Sequence, residues 1–402
     1  MAIHLIATLD TKGEEARYVA DRLSRWGQAT TALDVRSLGP PAFEADISRE
    51  QVFAAAGITL EELQAAGDRG RAVAAAAAGA AQLTAEAYAR GEVSGVLALG
   101  GSAGTTIGTA AMRVLPLGVP KLMVSTLASG QVRPYVGSKD ILMLNSVVDI
   151  AGLNRVSRVV LAEAAAAIAG MVQFRREAPP NSKPLVAATM FGVTTPCVEQ
   201  ARALLEAAGY EVLVFHATGS GGEAMESLLE EGLFAGVLDL TTTELADELV
   251  GGVLSAGPRR LTAAGRRGVP QVVSVGALDM VNFGPRATVP VKFADRKFHE
   301  HNASVTLMRT TPEENAELGA ILAAKLAAAS GPCAVLFPLR GVSGIDREGQ
   351  PFHDPAARAA LLAALREHGP GLELVEVDAH INDAEFAAQA AQRLLAMLGE
   401  SG

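Results

Sequence analysis

Short apolar runs alternate with longer stretches of helical period along most of the chain. Residues 3–8 and 29–35 are apolar runs of strand length, separated by a helical pattern over 14–25. A long helical stretch at 71–90 leads into a strand at 93–99 that ends in glycines. A strand at 121–125 and a helix at 156–172 follow. Strands that are apolar on both faces and separated by helices belong to a parallel sheet covered on both sides. The alternation stops at Glu177-Ala178-Pro179-Pro180-Asn181-Ser182, where charge, prolines and polar residues read as a linker. It then restarts, with strands expected at 185–191, 212–215, 236–240, 271–275, 334–337 and 373–377. Helices are expected at 197–208, 223–231, 312–329, 355–368 and 383–398.

The second half echoes the first. A strand, a helix and Gly27 at the start match a strand, a helix and Gly209 after the linker. Gly95-Val96-Leu97-Ala98-Leu99 resembles Gly236-Val237-Leu238-Asp239-Leu240, and Gly118-Val119-Pro120 resembles Gly268-Val269-Pro270. These matches occur in the same order, and extra residues between about Ser37 and Gly70 read as an insertion in the first half. Glycine at helix C-caps before strands is common in any α/β chain, so the echo has that plainer reading too. The expected fold class is α/β, with two Rossmann-like doubly wound domains of mainly parallel sheet, at 1–178 and 183–402.

Composition narrows the function classes. The 402 residues include 34 basic and 44 acidic side chains, a net charge of −10 and a pI near 5.3. Nucleic-acid grooves rely on clustered Lys and Arg, so nucleic acid is not an expected partner. A 49% hydrophobic and 19% charged chain fills real cores, which excludes disorder. Two cysteines exclude a four-thiolate zinc site. The start lacks a basic region and a cleavage site, and its apolar run breaks at Asp10-Thr11-Lys12, far short of the roughly 20 residues of a membrane span. The apolar helix over 159–172 carries Glu163 and reads as buried rather than as a membrane span. A cytoplasmic protein with reduced Cys197 and Cys333, and no membrane partner, is expected.

In such sheets ligands sit beyond the C-terminal ends of the strands, at the switch point of the winding. Thr8-Leu9-Asp10-Thr11-Lys12-Gly13 joins a strand to a helix, whose free N–H groups favour anions, and Lys12 adds a cation. Asp10 could orient a hydroxyl or a metal-bound water, while Asp10 or Thr11 could equally cap the helix. Gly100-Gly101-Ser102-Ala103-Gly104-Thr105-Thr106 lets backbone amides approach an anion or nucleotide, with hydroxyls as further donors. It lacks the lysine-hydroxyl ending of a P-loop and is not the dinucleotide fingerprint. Ala217-Thr218-Gly219-Ser220-Gly221-Gly222-Glu223 is a second candidate cradle, with His216 at its entry as an acid or base. Its plainer reading is a turn in which Ser220 caps the next helix. Pro196 suits a first helical turn and puts Cys197 near the positive helix end, as a nucleophile or as a small packed thiol.

Other polar stretches are too irregular for mere connection. They are 276–286, with Asp279 and Arg286; 298–302, with His299 and His301; and 338–346, with Arg340 able to hold a carboxylate or phosphate. His353-Asp354 and Asp378-Ala379-His380 could add metal ligands to the histidine pair, but no zinc spacing is present and no metal is assigned. The candidate catalytic set is Cys197, His216, Asp279 and His353.

Taken together these loops resemble, over nearly the whole chain, the Tm-one-like ATP-binding family. The residues that carry the resemblance are Thr8-Leu9-Asp10-Thr11-Lys12, the glycine loop at 100–106, Met190-Phe191-Gly192-Val193-Thr194-Thr195-Pro196-Cys197, Phe215-His216-Ala217-Thr218-Gly219, the stretch 279–286 and Asp378-Ala379-His380-Ile381-Asn382-Asp383. The resemblance implies two Rossmann-like domains, ATP held mainly by the first, and a homodimer. It puts phosphate contacts on Thr11, Lys12, Gly101, Ser102, Gly104, Thr105 and Thr106, with Asp10 and Gly100 completing the cofactor set and magnesium as a companion of ATP. The alternative is an ATP-dependent or hydrolytic enzyme on a small acidic metabolite in an interdomain cleft, working through Cys197 and His216.

Overall fold

A computed structural model of the chain describes residues 1–175 and 183–400. The expected linker, Glu177 to Ser182, lies outside the described residues. The chain divides into two compact units, Met1–Ala178 and Pro179–Gly402. Both are α/β, with Rossmann-like parallel sheets.

In the first unit the strands are β1 (Ala2–Ala7), β2 (Thr30–Asp34), β3 (Val93–Gly100), β4 (Lys121–Ser125) and β5 (Leu142–Asn145). They are all parallel, in the order β2-β1-β3-β4-β5. Side chains alternate between the faces, and both faces are apolar. Leu5, Leu97 and Leu122 meet helices Gly13–Arg25 and Arg155–Gln173 on one side. Ile6, Val96 and Met123 meet helices Arg49–Ala55, Arg69–Ala89 and Ser102–Arg113 on the other. Each fully buried Leu or Ile contributes about 1.5–3 kcal/mol, so the two faces hold the unit together. Helix Arg155–Gln173 is long and apolar enough by length and composition to cross a membrane. Here it buries Leu161, Ala164, Ala165 and Ile168 against the sheet.

The expected insertion folds as the small helices Arg49–Ala55 and Leu60–Ala66, which sequence periodicity did not reveal. Each opens with a reciprocal capping box, Ser48 with Gln51 and Thr59 with Glu62. Arg49–Ala55 packs closely on the alanine-rich helix Arg69–Ala89. A Cβ at Gly79 would overlap the Val52 carbonyl.

In the second unit the strands are β6 (Leu185–Met190), β7 (Glu211–His216), β8 (Phe234–Thr241), β9 (Gln271–Gly276), β10 (Met280–Phe283), β11 (Phe298–Asn302), β12 (Val305–Arg309), β13 (Cys333–Pro338) and β14 (Glu373–Val377). The parallel sheet runs β14-β13-β9-β8-β6-β7. Helices Thr195–Ala207 and Ala384–Glu400 cover one face, and Pro312–Ala327 and Pro355–His368 the other. The first five parallel strands repeat the winding of the first unit. The paired motifs fall on equivalent strands, β1 with β6, β3 with β8 and β4 with β9. Strands β10, β12 and β11 form an antiparallel sheet that periodicity missed, because they are short and partly polar. The stretch around His299 and His301, read as a polar loop, is its edge strand.

Candidate functional site

In the first sheet the winding reverses between β1 and β3, so the loops after these strands diverge and leave a crevice. Thr8, Thr11 and Lys12 from one loop and Gly100 to Gly104 from the other line a cleft of about 260 Å³ there. Gly100 lets β3 turn at once into helix Ser102–Arg113, since a Cβ would stand 2.7 Å from the Gly104 Cα. The helix starts at Gly101 with no side-chain cap. The amides of Ser102, Ala103 and Gly104 make no hydrogen bond among the described residues, so the partial positive helix end faces the cleft.

Cations gather around it. Lys12 lines the cleft and its ammonium donates to the Ile150 carbonyl. Arg36 lines it from the end of β2, with its Nε 3.1 Å from an Asp10 carboxylate oxygen. Arg69, the first residue of its helix, lines it and forms no ion pair among the described residues. Asp149 is the single carboxylate on these walls. It sits two residues beyond a γ-turn at Val147, whose φ is 63° and across which Val148 N–H donates to the Ser146 carbonyl. Sequence reading missed Arg36, Arg69 and Asp149. Arg36 follows a strand end and carried a weak signal; the other two arrive only through tertiary structure.

A second cavity of about 330 Å³ shares Thr8, Arg36, Arg69 and Ala103 with the first. Leu63, Ala72, Val73 and Ile107 make it largely apolar, with Gln64 and Asp68 as polar groups. The insertion supplies much of its wall.

Not every residue expected here reaches the cleft. Thr105 is buried, its hydroxyl donating to the Gly101 carbonyl at 2.8 Å and lying 2.7 Å from the Ser125 hydroxyl. Thr106 turns its hydroxyl back to the Ser102 carbonyl. Both lie within the first two turns of the helix rather than in a loop, and helical residues satisfy their hydroxyls on the preceding turn. Asp10 faces Arg36 from behind, and its other carboxylate oxygen is buried without a partner.

The glycine loop of the second unit is different. Gly219 N–H and Gly222 N–H both donate to Glu244 Oε1, at 2.7 and 3.1 Å. Glu244 is fully buried and its other oxygen accepts from Arg260 Nε at 2.6 Å. Burial pushes the Glu244 carboxyl up, against the pull of Arg260. Arg260 is also held by both Asp239 oxygens. The expected second anion cradle is therefore closed by the chain's own carboxylate.

The catalytic candidates divide. Cys197 is fully buried in the core, and burial pushes its thiol up to about 12, so the nucleophile reading gives way to the packed thiol. The helix end near it does not offset the loss of water. His216 is exposed at the end of β7, its ring edge-on to Phe191 at 5.5 Å. Asp279 is buried, accepts from the Ser343 hydroxyl at 2.7 Å and keeps one oxygen unpartnered. Burial and the nearby Asp346 carboxylate raise its pKa. His353 Nδ1 lies 3.4 Å from the Asp346 carbonyl, and Arg358 holds the Asp346 carboxylate. His380 Nε2 meets the Ser343 carbonyl at 2.8 Å, and Nδ1 accepts from Asn382 N–H. Asp279 and His353 thus flank one internal polar cluster, and His216 stands elsewhere. Arg340 is paired with Asp378 on the surface, and Arg286 stacks over the Phe298 ring at 3.9 Å. Among the described residues no three His, Cys, Asp or Glu side chains converge as metal ligands.

Known sequences agree along the whole chain. The N-terminal domain of the uncharacterised protein family UPF0261 matches residues 1–177, and its C-terminal domain matches residues 183–398. A UPF0261 protein of Clostridium tetani is 48% identical over 398 residues, spanning 98% of each chain. A UPF0261 protein of Rhizobium meliloti is 49% identical over 391 residues, 96% of this chain and 97% of the relative. The tomato (Solanum lycopersicum) ToMV resistance protein Tm-1(GCR237) is 50% identical over 303 residues, 73% of this chain and 40% of the tomato protein. The similarity thus occupies less than half of the tomato protein, whose virus resistance is stated of it alone. With both halves matched and relatives about half identical from end to end, the chain belongs to the protein family UPF0261.

Proposed function

We propose that the first unit binds ATP, with its phosphates at the glycine loop after β3. The observation that carries this reading is the meeting of an uncapped helix start with Lys12, Arg36 and Arg69 in one cleft at the switch point. Backbone amides and cations together suit a polyphosphate, and Arg69 is unpaired among the described residues. Gly101, Ser102 and Gly104 offer amides, Thr11 a hydroxyl and Lys12 a point charge. The adjoining apolar cavity suits the nucleoside, with Arg36 and Arg69 at the junction. The ATP comes from the cytoplasmic pool and brings magnesium. Isothermal titration of ATP and magnesium into the full chain tests this. Saturable binding of one ATP per chain is expected, and no heat at high protein concentration overturns it.

A further inference from the structure

We propose that Asp149 holds the divalent cation that accompanies the nucleotide phosphates. The assignment rests on the ATP reading above.

A carboxylate on the wall of an anion cleft repels phosphate unless a cation stands between them. Asp149 lines the cleft that faces the helix start and does not line the apolar cavity beside it. It therefore addresses phosphates rather than sugar hydroxyls. It forms no ion pair with Lys12, Arg36 or Arg69, although all three share its cleft. Its carboxylate is exposed to the cleft; one oxygen accepts from Ile150 N–H at 2.8 Å, and the other makes no hydrogen bond among the described residues. The Thr8 and Thr11 hydroxyls, 2.9 Å apart, line the same cleft and add neutral oxygen donors. Magnesium takes hard oxygen ligands, commonly one or two carboxylates together with substrate phosphates and waters, which this wall supplies. Lys12 ties the carbonyl of the next residue, Ile150, to the loop after β1 that carries Thr8 and Thr11.

The test titrates ATP into the full chain, with magnesium or with EDTA, for the native protein, Asp149→Asn and Asp149→Glu. Native protein is expected to bind ATP roughly tenfold more tightly with magnesium. In Asp149→Asn that gain is lost, and metal-free ATP binds as well as to native protein or better, because the like charge is gone. Asp149→Glu keeps most of the gain. Manganese bound in the presence of ATP, read by electron paramagnetic resonance, is expected to weaken in Asp149→Asn as well. The assignment is overturned if Asp149→Asn keeps the native magnesium gain, or if native protein binds ATP equally well in EDTA. Absence of ATP binding under both conditions overturns the ATP reading itself, and this assignment with it.

Discussion

Two glycine-rich turns of similar composition follow strands in the two units, and they end differently. The turn after β3 stands at the switch point of its sheet and faces a cleft with three cations. The turn after β7 follows an edge strand, and its amides are taken by Glu244 from the helix that starts after β8. Glycine makes backbone amides approachable; what approaches them is decided by neighbouring loops. One turn keeps its amides open to a cleft, and the other has them filled by the chain's own carboxylate.

The largest expected effect comes from emptying the filled turn. Glu244→Ala strands two amides and removes one partner of buried Arg260, so unfolding of the second unit in urea is expected to become easier by about 3–5 kcal/mol. Formate or acetate, binding in the vacated place, should restore part of that loss. A change below about 1 kcal/mol would mean that the carboxylate is incidental to the turn.

Discharging the open turn comes next. Lys12→Ala and Arg69→Ala are each expected to weaken ATP binding roughly tenfold by calorimetry, about 1.4 kcal/mol. His216→Ala, beside the filled turn, should leave it unchanged. Equal losses in all three variants would erase the distinction between the turns.

A further effect follows pH. Burial raises the Asp247 carboxyl to about 7 in the folded unit. Between the unfolded value near pH 4 and that value, the folded state keeps a proton that the unfolded state has lost, so stability falls as pH rises through this window and levels off above it. Melting temperatures measured from pH 4 to 8 should show the decline, and Asp247→Asn should lessen it, with the buried carboxyl of Asp279 accounting for part of what remains. Smallest of all, Cys197 should resist alkylation in the native chain at pH 8, and Cys197→Ala should leave ATP affinity alone. Rapid labelling of Cys197 would return the thiol to the candidate chemistry.

Much of the fold was legible because apolar runs and helical period carry it directly. The strands at 121–125 and 373–377 and the helix at 355–368 fall on the expected residues. The antiparallel sheet was not, since Phe298-His299-Glu300-His301-Asn302 shows neither a continuous apolar run nor clean alternation. The helices at 49–55 and 60–66 are too short for periodicity, although their capping boxes are visible on inspection. The glycine loop at 100–104 was found from composition and position. Its cations were not all found, because Arg69 belongs to a helix whose start reaches the cleft only in the folded unit. Glu244 was missed for the same reason, lying 22 and 25 residues from the glycines it serves.

Gly79 has a consequence for how the apolar cavity beside the cleft tolerates change. It lies outside that cavity, on a helix whose first turns, through Arg69, Ala72 and Val73, form part of its wall. A glycine inside a helix costs about 1 kcal/mol against alanine, and here it removes the atom that would push the Val52 backbone away. The separation of two helices is thus set by an omission. A single methyl group at position 79 would act as a wedge, moving the insertion as a lever moves its far arm. The shape of that cavity is thus set in part by a residue that does not line it.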